Sequence, residues 1–520
     1  MAKVTLSYSK QISVSDPGTK PVLIIGQLPH LLGVPFEVLK KKLEPRVTEQ
    51  TFNLAVNNLH PSPTDTISMW CNNATLAALP LKVSRHNTSS RAHSIHKLVK
   101  SCYTGASEEH IVIVCERQNV FPSGCAVARA FPLFSHKSGY AKVSQRRVIV
   151  EFVVVGSNSR SVTDSEMEAL TNAAAGIRLT QSIIDQPCNQ MNTDAFVEEA
   201  KRVASEVGSE ILIIRDEELN TKGFGGIYGV GKAAVHPPAL VVLSHKPPEA
   251  TQSIAWVGKG IVYDTGGLCI KSKTSMPGMK RDCGGAAAVL GAFKAAVKTG
   301  FRENLYAVLC LAENAVGPHA TRPDDIHTMY SGRTVEINNT DAEGRLVLSD
   351  GVSYAAKDLR ADIIVDVATL TGAQGISTGR YHAAVLCNRE EWEQACVTSG
   401  RNSGDLVFPI VFSPELHFSE FASAVADMKN SVADRSNAQS SCAGLFIFSH
   451  LGFEFPGVWV HLDIASPCFS GERATGYGVA LLLSLFGKAS HSTLLQAVSP
   501  LGCSDEDEMV ENATKKIRLV

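Results

Sequence analysis

From residue 211 onward, six runs of this chain are apolar almost without interruption, at 211–214, 239–243, 254–257, 305–311, 363–367 and 458–462, and helix-like segments separate most of them. A strand with one face in solvent alternates apolar and polar residues; a strand covered on both faces does not have to. The pattern therefore predicts an α/β fold with a mostly parallel sheet buried under helices. Residues 1–160 alternate strand-like runs (22–26, 111–115, 148–155) with helix-like ones (48–59, 91–103, 125–131), which predicts a smaller N-terminal α/β domain with an assembly or regulatory role. Gly156-Ser157-Asn158-Ser159-Arg160-Ser161 is short and polar, and Asp164 beyond it reads as the N-cap of a helix running to about residue 184. The boundary is placed there, with 161–503 as the larger C-terminal catalytic domain. Asn192-Thr193-Asp194 then caps a helix with Phe196, Ala200 and Val203 on one face, and the aperiodic tail 504–520 is expected to be mobile.

Composition narrows the partners. The 520 residues are 44% apolar and 19% charged, with a formal charge of −2, so nothing draws the chain as a whole to nucleic acid or to an anionic membrane. No apolar run is long enough to span a bilayer, the longest candidates being such stretches as 479–486. The start, Met1-Ala2-Lys3-Val4-Thr5-Leu6-Ser7-Tyr8, lacks the apolar core of an export signal, and thirteen cysteines show no Cys-x-x-Cys pair. A cytoplasmic protein with free thiols is expected, acting on a small molecule or peptide.

Ligands of open α/β sheets bind at loops leaving the carboxyl ends of strands, and two charged clusters fall on such loops. Asn338-Asn339-Thr340-Asp341-Ala342-Glu343-Gly344-Arg345-Leu346 follows a strand end at Val335-Glu336-Ile337 and leads into a helical apolar pattern. Alone, it reads as a capping box with Thr340 as N-cap and Glu343 three residues on. A second cluster changes that reading: Gly258-Lys259-Gly260-Ile261-Val262-Tyr263-Asp264-Thr265-Gly266-Gly267 follows the strand at 254–257, with Lys271, Lys273, Arg281 and Asp282 close behind. Three histidines, His86, His93 and His96, lack acidic or thiol companions and read as solvated side chains rather than ligands. Gly226-Ile227-Tyr228-Gly229-Val230-Gly231-Lys232-Ala233 comes close to a phosphate loop, but Ala233 replaces the hydroxyl that would hold magnesium.

The two clusters together resemble the cytosol (leucyl) aminopeptidases, two-metal exopeptidases. Their signature Asn-Thr-Asp-Ala-Glu-Gly-Arg-Leu stands unchanged from Asn339 to Leu346, and their lysine–aspartate–Gly-Gly–lysine–aspartate block matches in order and spacing from Lys259 to Asp282. The likeness is good over about 165–490, looser before it, and closest to an animal aminopeptidase-like branch. It implies that Lys259, Asp264, Asp282, Asp341 and Glu343 hold two divalent ions, zinc or manganese. Asp264 and Glu343 would bridge them, with Lys259 and Asp282 on one ion and Asp341 on the other. Two ions about 3.5–4 Å apart activate a water and polarise the carbonyl. Lys271 resembles the lysine that meets the scissile carbonyl oxygen, and Arg345 the arginine that holds a bicarbonate for proton transfer.

The same resemblance implies removal of unblocked N-terminal residues, leucine and other apolar ones, from short peptides, by a homo-oligomer that is typically a hexamer. The side-chain pocket would be built from Met279, the turn Ala368-Thr369-Leu370-Thr371-Gly372 and Ala465. Departures from the family pattern bear on selectivity and spare every implied ligand. They are Tyr263, Thr265 and Ser272 in the first block, and Ser466-Pro467-Cys468 after Asp463-Ile464-Ala465. The competing class is an aminopeptidase scaffold that binds or regulates without catalysis; the intact ligand set argues against it.

Overall fold

The computed structural model describes residues 4–138, 145–157 and 159–501; the tail expectation at 504–520 lies outside them. Two sheets organise the chain. In the N-terminal sheet the strands are β1 (Val4–Ser9), β2 (Val22–Gln27), β3 (Asp65–Trp70), β4 (Ala74–Leu79), β5 (Glu108–Glu116) and β6 (Arg146–Val155). Their order is β1-β6-β5-β2-β4-β3, every pair parallel except β3 with β4.

The second sheet takes β7 (Glu210–Arg215), β8 (Ala239–His245), β9 (Ser253–Asp264) and β10 (Asn304–Asn314). A small ribbon follows, β11 (Ile326–Thr328) and β12 (Thr334–Glu336), and then β13 (Ile363–Ala368), β14 (Ala383–Cys387) and β15 (Val407–Pro409). The short β16 (Met428–Lys429) joins the ribbon beside β12, and β17 (Val458–Asp463) returns to the main sheet. The main order is β15-β14-β17-β13-β9-β10-β8-β7, with the central four, β17-β13-β9-β10, mutually parallel.

Burial explains the apolar runs except the first: β7 is the edge strand, with Leu212 exposed and Ile211 and Ile213 only half-buried, so the expectation of two covered faces fails there. Along β9, Ile254 and Trp256 face one core while Ala255 and Val257 face another, and β8 alternates in the same way. The first core continues through the helix Asp164–Asp185 to one face of the N-terminal sheet, and the helices Gly225–Gly231, Gly344–Lys357 and Gln439–Ser449 cover the second core. Both sheets are therefore helix-covered on two sides, and the domains share one apolar contact built on the long helix.

Local readings need two corrections. The helix after the boundary starts one residue earlier than expected: Thr163, not Asp164, is its N-cap, in a complete capping box with Glu166. The capping box that the 340–343 pattern suggests on its own, and that the second charged cluster argues against, does not form. Glu343 itself precedes the helix Gly344–Lys357 without a side-chain cap, because the Thr340 hydroxyl donates to Gly266 O at 2.6 Å and accepts from Cys269 N at 2.8 Å. Lys259 and Asp264 are not on a loop; β9 runs on through both. Gly258 interrupted the apolar pattern because a Cβ there would stand 2.5 Å from the Ala286 backbone of the crossing helix.

The near-phosphate loop is part of the helix Gly225–Gly231, and a Cβ at Gly229 would lie 2.7 Å from the His327 ring, so close packing accounts for its glycines. Of the three N-terminal histidines, His86 accepts through its carbonyl from His382 at 2.8 Å and His93 meets Tyr381 edge-on; His93 and His96 are half-buried rather than solvated, and burial lowers His96 to about 4.

Candidate metal centre and substrate pocket

The carboxyl ends of β9, β10, β13 and β17 open on one side of the sheet, and the implied ligands gather there. Lys259 projects from within β9, and its Nζ meets Asp282 Oδ2 at 2.8 Å, Glu343 Oε1 at 2.9 Å and the Thr369 carbonyl at 2.9 Å. Asp264 closes the same strand. Its Oδ1 accepts from Gly266 N at 2.9 Å and from Asn314 Nδ2 at 2.8 Å, which fixes the carboxylate. Lys271 reaches back from the following loop to Asp264 Oδ2 at 2.7 Å and Asp341 Oδ1 at 2.5 Å.

Oxygens of Asp264, Asp341 and Glu343 lie within 4.8 Å of one another, the arrangement among the described residues that could hold a metal ion. Oxygen donors with a mostly buried setting suit a divalent cation. Asp282, fixed by the Thr369 hydroxyl at 2.8 Å, stands beside them across Lys259. All five implied ligands are thus brought together.

Electrostatics show the crowding. Burial, then the neighbouring Asp264 carboxylate, pushes Glu343 up to about 7. Burial raises Asp341 to about 6 although Lys271 opposes it, and burial also raises Asp282. For Lys259, burial disfavours the charge, but Asp282, Glu343 and Asp264 outweigh it and hold the amine above its usual value; Lys271 is raised by Asp264 and Glu343 against the same penalty. A site where carboxylates resist ionisation and ammonium groups resist neutralisation is one short of positive charge. Burial lowers Arg345 to about 10, which leaves it charged at neutral pH.

Sequence reasoning missed the residue that clamps the signature loop. Asn430, fully buried just after β16, accepts at Oδ1 from Asn338 N at 3.0 Å and Asn339 N at 3.2 Å, and donates from Nδ2 to Asn339 O at 2.7 Å and Ala342 O at 3.3 Å. Its own carbonyl accepts from Arg345 Nη1 at 3.1 Å. No local pattern around Met428-Lys429-Asn430 marks it; its partners are some ninety residues away in sequence. Asn314 was missed likewise, and it joins Asp264 to the Thr340 carbonyl at 3.0 Å.

The implied pocket residues fall into two groups. Thr369 and Leu370 follow β13, Gly372 starts the helix Gly372–Ser377, and Ala465 follows β17; bonds to Asp463 tie Leu370 to Ala465. Met279 opens the short helix Met279–Arg281, and its carbonyl accepts from Asp282 N at 3.2 Å, so it is linked to the metal side. The family departures have local roles. The Thr265 hydroxyl donates to Asn314 O at 2.6 Å, Tyr263 to Met276 O at 3.4 Å, and Ser272 accepts from Ser275 N at 3.2 Å; Cys468 is buried.

Known proteins resemble the chain over most of its length. The catalytic-domain profile of the cytosol aminopeptidase family matches residues 178–483, and that of the M17 aminopeptidase N-terminal domain 2 matches residues 20–140. The chain is 64% identical to the human protein named probable aminopeptidase NPEPL1, over 98% of this chain and 97% of that one. It is 44% identical to leucine aminopeptidase 1 of Caenorhabditis elegans, over 93% and 98% of the two chains. The solved structure of C. elegans leucine aminopeptidase superposes with a TM-score of 0.90 at 43% identity, over 94% and 99%. A Trypanosoma brucei leucyl aminopeptidase in complex with actinonin superposes at 0.82 and 35% identity, over 94% and 96%. Among the described residues no helix is long and apolar enough to cross a membrane, and every cysteine is a free thiol.

Proposed function

Because this chain belongs to the cytosol aminopeptidase family, we propose that it removes unblocked N-terminal residues, leucine and other apolar ones, from short peptides with the help of two divalent ions. The observation that carries this is the convergence of Asp264, Asp341 and Glu343 beside Lys259 and Lys271. Those three with Lys259 and Asp282 would hold the ions. Bound there, the ions would lower the pKa of a water, polarise the scissile carbonyl and favour a neutral α-amine as a further ligand.

The chain's own groups divide the remaining work. Asp264 and Asp282 are oriented by amide and hydroxyl donors, so they enter the reaction already positioned. Lys271, partly exposed and charged, suits the negative charge that develops on the carbonyl oxygen. Arg345, buried and charged, offers a seat for a bicarbonate ion. Met279, Thr369, Leu370, Gly372 and Ala465 would shape the side-chain pocket. A cytoplasmic homo-oligomer, hexameric by family likeness, fits the reading, with 1–160 as the assembly unit and 161–503 as the catalytic one. Comparing leucyl amide with acetyl-leucyl amide tests it: the free amine should be strongly preferred, and equal kcat/KM for the two would favour an amidase or endopeptidase instead.

A further inference from the structure

Strands β13 and β17 end side by side, with Ala368 paired to Asp463 and Ile464 N donating to Ala368 O at 2.7 Å as the last rung. Beyond that rung the two chains leave as separate turns, 369–372 and 464–466, which are the walls of the pocket proposed above. A ladder no longer joins them. The Asp463 carboxylate does so instead. It is fully buried; Oδ1 accepts from Leu370 N at 3.1 Å and Ala465 N at 3.2 Å, and Oδ2 accepts from Thr371 N at 3.2 Å and the Thr371 hydroxyl at 2.7 Å.

The Thr371 hydroxyl is itself the N-cap of the helix Gly372–Ser377, accepting from Gln374 N at 3.1 Å, and it meets the Ser440 hydroxyl at 2.7 Å. The first wall is thus gripped at both ends: Thr369 is held by Lys259 and Asp282 of the metal centre, and Leu370 and Thr371 by Asp463. A carboxylate is the side chain for this place because all four partners are donors. Asparagine would turn an NH2 group towards the Thr371 amide and hydroxyl. Gln374 Oε1 also accepts from Ser466 N at 2.8 Å, but from the helix beyond the first wall, whereas Asp463 bonds backbone amides of both turns, and wall spacing decides which apolar side chain an apolar pocket accepts.

We propose that Asp463 is the positioning residue that sets amino-terminal selectivity, by fixing the spacing of the two walls; this rests on the aminopeptidase reading. The test uses full-length Asp463→Asn and Thr371→Val, which removes the hydroxyl arm, and with it the helix cap and the Ser440 contact, but keeps the amide arms. In both, elemental analysis should find the metal content of the unaltered protein. Asp463→Asn should lower kcat/KM for leucyl amide about tenfold more than for alanyl amide, chiefly through KM, the low end of the roughly 10–200-fold discrimination that apolar pockets achieve. Thr371→Val should shift the same ratio less. Hydrogen exchange should quicken at the amides of Leu370, Thr371 and Ala465.

Equal losses on both amides, or loss of metal, would overturn the proposal and make Asp463 part of the metal scaffold. An unchanged ratio with quickened exchange would overturn it too, since the anchor would then be structural alone. If the unaltered protein hydrolysed neither amide, the aminopeptidase reading would fail by itself. Exchange at Leu370, Thr371 and Ala465 would still decide whether Asp463 holds the walls, and unchanged exchange there would sink that role.

Discussion

At the metal centre four carboxylates crowd two ammonium groups, whereas the pocket walls hang from one carboxylate bonded to backbone amides and a hydroxyl. The first arrangement leaves Glu343 at about 7 and Asp341 at about 6, so ionising the whole set without added positive charge is costly. In the second, the Asp463 oxygens are satisfied by donors that never titrate. Burial raises Asp463 as well, with His461 opposing, but its partners are backbone amides and a hydroxyl. The difference teaches where each region is sensitive: the metal centre to cations, the walls to geometry.

Removing cations should therefore give the largest effect and confine it to one region. Chelation is expected to abolish leucyl-amide hydrolysis, and manganese, cobalt or zinc to restore it, since the donor set suits such ions. Amide exchange at Leu370 and Ala465 should stay nearly unchanged throughout. Full activity in a verified metal-free preparation would break the comparison at its base.

The two lysines sharpen it next. Lys259, enclosed by Asp282 and Glu343, would be a ligand, so Lys259→Ala should lower metal content as well as rate. Lys271→Ala should keep both ions and lose about 10²–10³ in kcat, roughly 2.7–4 kcal/mol, the usual result of deleting one oxyanion contact. Elemental analysis beside steady-state kinetics reads both; metal lost from Lys271→Ala and retained in Lys259→Ala would reverse the assignment.

Asn430 tests the scaffold rather than the charges. In Asn430→Ala the Asn338 and Asn339 amides lose their acceptor inside the protein, and unsatisfied buried groups cost about 1–3 kcal/mol each. A loss of about 2–4 kcal/mol on urea unfolding is expected, with weaker metal retention. Wild-type stability in this variant would mean the signature loop is held by other bonds.

These residues also mark how far the sequence could be read. The strands buried on both faces were legible because β8, β9, β10, β13 and β17 carry their apolar character without reference to partners. The candidate ligands Asp341 and Glu343 stood out because they lie, with Arg345, within one short motif. The short strands β1, β3, β4 and β14 were not, since half of Asp65–Trp70 is polar and Ala383–Cys387 is only five residues long. The partner of Thr340 was not legible either, since its hydroxyl goes to Gly266, 74 residues away. Asn430 and Asp463 act through bonds that span about ninety residues, and no periodicity reports such a partner. Asp463 at least sat inside a block that resembled the family; Asn430 had no such signal.

A slope, not a loss, is expected of the helix that carries the signature loop. Asp350 lies on it, fully buried, and accepts from Ile227 N at 2.9 Å and Tyr330 N at 2.8 Å. Burial pushes it up to about 7 despite those amides, against about 3.9 in an unfolded chain. Between these values the folded protein binds more protons than the unfolded one, so this group makes stability fall as pH rises from about 4 to about 7 and leaves it level above that. The slope is at most about 1.4 kcal/mol per pH unit. Asp350→Asn keeps one acceptor oxygen and cannot ionise, so the variant should lack this slope. Urea unfolding of both proteins at several pH values between 5 and 8, compared as a difference, isolates Asp350 from Glu343 and Asp341. A difference that stays flat across that range would mean Asp350 remains ionised in the fold. The two backbone amides would then stabilise a buried charge as fully as the donors around Asp463 do, and the contrast between a titrating metal side and fixed pocket walls would need to exclude this helix.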